Sequence, residues 1–95
     1  MGHYDRGDHI VYEKHKWGVS PDPRARKIAP ATSGDLYSYV VDKFWVVLAR
    51  LDSGQLRIRT RTGKEFLIAE NDEHLRRPRL MERMLLRSRF PAFNR

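Results

Sequence analysis

The stretch Leu56-Arg57-Ile58-Arg59-Thr60-Arg61 carries an arginine at every second residue, with apolar or β-branched residues between. On an extended strand alternate side chains leave from one face, about 6.6 Å apart for a rise of about 3.3 Å per residue. Arg57, Arg59 and Arg61 thus form a row whose spacing suits successive phosphates of a nucleic-acid backbone. Each such contact releases counterions and adds affinity without reading sequence. A second row, Arg79, Arg83 and Arg87, recurs at i, i+4 and i+8, the spacing of one helix face. Arginine outnumbers lysine 14 to 5, and its planar fork suits phosphate, carboxylate and aromatic faces better than a point charge does. These residues offer neutralisation of a polyanion. The plainer reading of the strand is a solvated outer face with Arg59 paired to Glu65, worth ~0.2–1 kcal/mol.

Base stacking would need an exposed ring beside such a surface. Trp17, between Lys16 and Gly18 at the end of a β-rich segment, is the candidate; Tyr12, Tyr37, Tyr39 and Trp45 read mostly as core. Catalytic groupings are poorly represented. His3, His9, His15 and His74 match no metal-ligand spacing, and there is no cysteine. Asp42, inside the apolar run Val40-Val41-Asp42-Lys43-Phe44-Trp45, is the most unusual acid. It can pair with Lys43 or cap a bulge, and no base or nucleophile accompanies it. The expectation is a non-enzymatic chain without metal or cofactor.

The charge is concentrated. The chain carries +7. Residues 1–73 hold 12 basic and 11 acidic side chains, whereas residues 74–95 hold 7 basic side chains against Glu82 alone. A basic end beside a nearly neutral body points to an anionic partner: RNA in preference to DNA, or an acidic protein surface. No apolar run nears the roughly 20 residues needed to span a bilayer, and MGHYDRGDHI contains no apolar secretory core. A cytoplasmic location and no membrane partner are expected.

The elements that must position these residues follow from period and punctuation. At 95 residues the chain is expected to form one domain over 8–90, preceded by a flexible N-terminus, 1–7, and followed by a tail, 91–95. Residues 9–13 are β-rich after the Gly7-Asp8 turn signal. Residues 19–35, with three prolines and Ser33-Gly34-Asp35, read as a long loop with one short edge strand near Arg26–Ile28. Residues 37–51 are apolar on both alternating faces around Phe44–Leu48, as in a strand covered on two sides. A three-residue loop, Arg61-Thr62-Gly63 with Gly63 left-handed, pairs Arg59 with Glu65, Ile58 with Phe66, Arg57 with Leu67 and Leu56 with Ile68. Leu56, Ile58, Phe66 and Ile68 then share a core face, which a two-residue turn would break up.

The last element is a helix, about 78–88, opened by Pro78 and stopped by Phe90-Pro91. Leu80, Met81, Met84 and Leu85 cover an arc of about 140° at 100° per residue and are expected to pack on the sheet. The predicted fold is mainly β: a small antiparallel barrel or bent sheet with one C-terminal helix.

Gly7-Asp8-His9-Ile10-Val11 followed by Gly18, then a strand–turn–strand–turn–strand run over roughly 7–70 and a short terminal helix, resembles SH3-like barrels of the KOW and Tudor kind. The chain lacks the mid-motif glycine of a KOW motif and a clear aromatic cage. The resemblance implies an SH3-like barrel that binds RNA, DNA, ribosomal or polymerase surfaces, or peptides. The Arg-rich end with Arg89-Phe90-Pro91 also looks like that of short bacterial proteins, a likeness that implies no activity.

Overall fold

The computed structural model describes residues 3–30 and 36–93. The Ser33-Gly34-Asp35 turn lies outside them, as do the outermost two residues at each end. Among the described residues six strands make up an antiparallel sheet: β1 (His9–Gly18), β2 (Arg26–Pro30), β3 (Tyr37–Arg50), β4 (Gln55–Arg59), β5 (Glu65–Ala69) and β6 (Leu75–Arg76). The order is β5-β4-β3-β1-β6, with β2 also on β3. Among the described residues the strand order does not close on itself, and the expected mainly β antiparallel sheet with one short C-terminal helix is found. Contacts gather into two compact units, one of residues 1–12 and 44–95, the other of residues 13–43.

In the first unit the β4–β5 hairpin has the register that alternation demands. Arg59 faces Glu65, Ile58 faces Phe66, Arg57 faces Leu67 and Leu56 faces Ile68. The Gly63 amide donates to Thr60 O at 3.0 Å, and Gly63 sits at φ 95°, where a side chain would be strained. Leu56 and Ile58 are fully buried. They join Tyr4, Ile10, Trp45, Val47 and Leu75 in the main core, with Tyr12 and Ile68 packed against it. Trp45 stacks on Tyr12 at 4.9 Å and takes the edge of Phe66 at 5.0 Å. Val11 and Phe44, on the alternate faces of β1 and β3, bury against Phe90 with Leu86 beside them. Both faces are covered here, as the double-sided apolar run implied. Each fully buried aliphatic adds at most about 1.5–3 kcal/mol.

Of the segment 1–7 expected to be flexible, residues 3–7 are described and make contacts with the fold. Tyr4 is buried in the core. The Gly7 amide donates to Val47 O at 2.8 Å, and the Val47 amide to Asp8 O at 2.9 Å.

The terminal helix departs furthest from expectation. α1 spans Leu80–Leu85, shorter than 78–88, and a 3₁₀ turn follows at Arg87–Arg89. Pro78 lies before α1. The arc expected to pack on the sheet is turned away: Leu80, Met81, Met84 and Leu85 are 67%, 68%, 67% and 68% exposed. The reason is electrostatic. Glu82 receives both arms of the Arg76 guanidinium, at 2.7 and 2.8 Å, and its Oε1 also accepts the Arg79 amide at 2.8 Å. This pins the Glu82–Leu86 side inward. Phe90 folds back onto Phe44, edge to face at 4.9 Å, and does the covering that the arc was expected to do.

In the second unit β2 pairs with the first half of β3, Arg26 opposite Val40, Ala29 opposite Ser38 and Pro30 opposite Tyr37. The strand extends past Ile28 and ends at Pro30, which an edge position permits. The register shifts between Arg26 and Ala29, and within that shift Lys27 adopts φ 54°, as a bulge residue can. Tyr39, Val40 and Val41 are buried. Asp42, expected to pair with Lys43 or cap a bulge, is seen to pair with Arg26. Arg26 grips it with Nε at 3.0 Å and Nη2 at 2.7 Å, and Nη2 also reaches Glu13 at 3.2 Å.

Candidate functional site

On β4 the pleat that buries Leu56 and Ile58 sends Arg57 and Arg59 to the other face, where they line a shallow hollow of about 460 Å³ with Arg6, Leu48, Glu65 and Phe93. The two arginines differ in availability. Arg57 is exposed. The Arg59 side chain is only 18% exposed, with Nη2 3.5 Å from Glu65 and Nη1 donating to Ala92 O. The cross-strand pairing that the register implied is therefore present. Arg61 projects from the loop, exposed, and is not among the residues lining the hollow. The Arg6 guanidinium lies over the Phe93 ring at 5.1 Å.

Arg83 and Arg87 line a different hollow, a groove of about 580 Å³ between α1 and the start of β1. Leu80 and Met84 share it with His9 and Phe90. The His9 ring stacks on Phe90 at 4.6 Å, and its Nε2 lies 3.2 Å from Pro91 O. Arg77 also lines the groove; it pairs with Asp8 at 3.4 Å, donates to His3 O and lies over the Tyr4 ring at 4.8 Å. Arg79 is exposed ahead of α1 and does not line it.

The two arginine rows therefore do not merge into one surface. Each contributes two members to its own hollow, and the chain from Phe90 to Phe93 borders both. Trp17 belongs to the second unit, where it is 64% exposed, the state that stacking requires.

Sequence reasoning missed Arg6, Arg77, His9 and the Phe90-Pro91-Ala92-Phe93 segment. The repeated aromatics around Pro91 were the available signal. It also missed a cationic group in the second unit. Burial holds the Lys43 amine below the usual lysine range, with help from Lys16 and Lys14. Lys14 and Lys16 share a face of β1 by strand period.

In the first unit Glu82, Glu70 and Asp72 are committed to the fold. The Arg76 hydrogen bonds hold Glu82 at about 2, well below the usual carboxylate range. The Tyr4 amide, then Arg50, lowers Glu70. Burial pushes the Tyr4 phenol up, opposed by the nearby Arg77 charge. Burial, then a hydrogen bond to Asp72, raises Tyr12. Among the described residues no three His, Cys, Asp or Glu side chains gather as a metal site, and no helix is long and apolar enough to cross a membrane.

No family model matches the chain, and no curated protein or solved structure is measurably similar to it.

Proposed function

We propose that the chain is a non-enzymatic binding module for a polyanion, RNA or a ribonucleoprotein surface, on a small β domain of SH3-like kind. The observation that supports this reading is a division among the arginines. Arg26, Arg50, Arg59, Arg76 and Arg77 are paired with carboxylates. Arg57, Arg61, Arg83 and Arg87 have no ion pair among the described residues. Exposed, unneutralised guanidinium groups are what phosphate recognition uses, and all of these but Arg61 line a hollow. Arg57 and Arg61, with Arg59 behind them, would form one contact surface, and Arg79, Arg83 and Arg87 a separate one. On the second unit, Trp17 would offer a stacking face of its own.

Titration of a fluorescein-labelled single-stranded RNA at low and at physiological salt tests the reading. Affinity should fall steeply with salt, and Arg57→Ala with Arg61→Ala should weaken binding and flatten the salt slope. No binding at low salt would end it. A second reading, a protein adaptor that docks its basic helix on an acidic partner, is favoured by the solvent-facing leucines and methionines of α1.

A further inference from the structure

We infer that the groove between α1 and the start of β1 is a docking site for an acidic amphipathic helix of a partner protein. The inference deepens the adaptor reading and rests on it; of the residues proposed for RNA it shares Arg79, Arg83 and Arg87 and not Arg57 or Arg61. It rests on an arrangement that the fold does not need. An apolar helix face in a chain this small normally serves as a cover for the sheet. Here that work is done by Leu86 and Phe90, and α1 is held by the Arg76–Glu82 pair. Leu80 and Met84 are left in solvent at i and i+4, aligned along the groove. Met81 and Leu85 continue the exposed surface beside them. Methionine adapts its shape to a partner more readily than branched side chains do.

Charge selects the occupant. Arg83 and Arg87 line the same groove as Leu80 and Met84, and Arg79 stands exposed at the start of α1. The one acid of α1, Glu82, is taken by Arg76. A ligand filling this groove must therefore bring apolar side chains flanked by carboxylates. A helix with apolar residues at i, i+3, i+4 and i+7 and acids between them meets both demands. A second copy of this chain would set arginine against arginine across the contact. A flat bilayer surface cannot fill a concave groove. A single-stranded RNA would satisfy the arginines and leave Leu80 and Met84 without an apolar partner.

The test uses a fluorescein-labelled designed helical peptide, leucine at i, i+3, i+4 and i+7 and glutamate between, on the intact chain. A lysine-for-glutamate twin, equimolar phosphatidylcholine–phosphatidylserine vesicles and sedimentation of the chain alone run beside it. The glutamate peptide is expected to bind and to shift amide signals of residues 80–90 and of His9. Leu80→Ser with Met84→Ser should weaken binding by about tenfold or more. Both side chains are exposed, so the variant should fold, and an unshifted Gly63 amide signal checks that it has. The same variant should leave RNA affinity unchanged, whereas Arg57→Ala with Arg61→Ala should change RNA affinity and not peptide affinity. Equal binding of the lysine twin, peptide shifts located elsewhere, vesicle binding without peptide binding, or self-association abolished by the serine variant would each overturn the inference.

Discussion

The Arg76 guanidinium and the Glu82 carboxylate meet through two parallel hydrogen bonds of 2.7 and 2.8 Å, and this pair sets the orientation of α1. The last residue of β6 holds the first turn of the helix, so the polar edge faces the sheet and the apolar arc faces solvent. Bidentate geometry is what makes a partly screened pair strong enough to do this.

A dependence on acid follows. Folding lowers Glu82 from 4.5 to about 2. A carboxylate lowered on folding stabilises above its unfolded value and stops doing so as pH falls through its folded value. The contribution should thus be complete above about pH 4.5 and gone near pH 2, on the order of 1–3 kcal/mol after solvent screening. Glu82→Gln should lower urea stability at pH 7 by that order, and the difference between wild type and variant should close at pH 2. A difference that persists unchanged at pH 2 would refute the assignment.

Two backbone positions should respond with opposite sign. Gly63 has a left-handed φ and open space where a Cβ would lie, so Gly63→Ala costs conformational strain and not a clash, about 1–2 kcal/mol. Lys27 already bears such strain at φ 54°. Lys27→Gly should be neutral or stabilising and Lys27→Val destabilising. Urea midpoints at constant slope provide the comparison.

The strand arginines should separate by role. Arg59→Ala removes the contacts to Glu65 and Ala92 and should lower stability by about 1 kcal/mol, with faster amide exchange in residues 90–93. Arg57→Ala should leave both unchanged and act only on anion binding. Equal loss of stability in the two variants would contradict the difference in their surroundings.

Fluorescence distinguishes the two tryptophans. Trp17 is 64% exposed and Trp45 7%. Acrylamide should quench one component strongly and the other weakly, and Trp17→Phe should remove the strongly quenched one. If Trp17 stacks on bases, RNA should protect that component.

The hairpin was legible because period-2 alternation and Gly63 admit one register in which Leu56, Ile58, Phe66 and Ile68 share a face. The double-sided burial of β3 was legible for the same reason: Val46 and Val47 are neighbours and both apolar. The orientation of α1 was not. A hydrophobic arc of four residues outweighed a single acid whose partner lies outside the helix. The lone acid among seven arginines was the available sign, since several cations compete for it and the winner rotates the element. The Arg26 partner of Asp42 was not legible because Arg26 is distant in sequence and sits at a shift of register. The two hollows could not be read at all, since both depend on the path of the chain from Phe90 to Phe93, set by tertiary contacts with Phe44, His9 and Arg59.

The residues packed around Trp45 are drawn from widely separated places: Tyr4 near one end, Leu56 and Ile58 in the middle, Leu75 well beyond. On the ribosome, this cluster cannot close until Leu75 has cleared the exit tunnel. Before then Trp45, Leu56 and Ile58 lack part of their apolar cover, the interval in which a chaperone has something to grip.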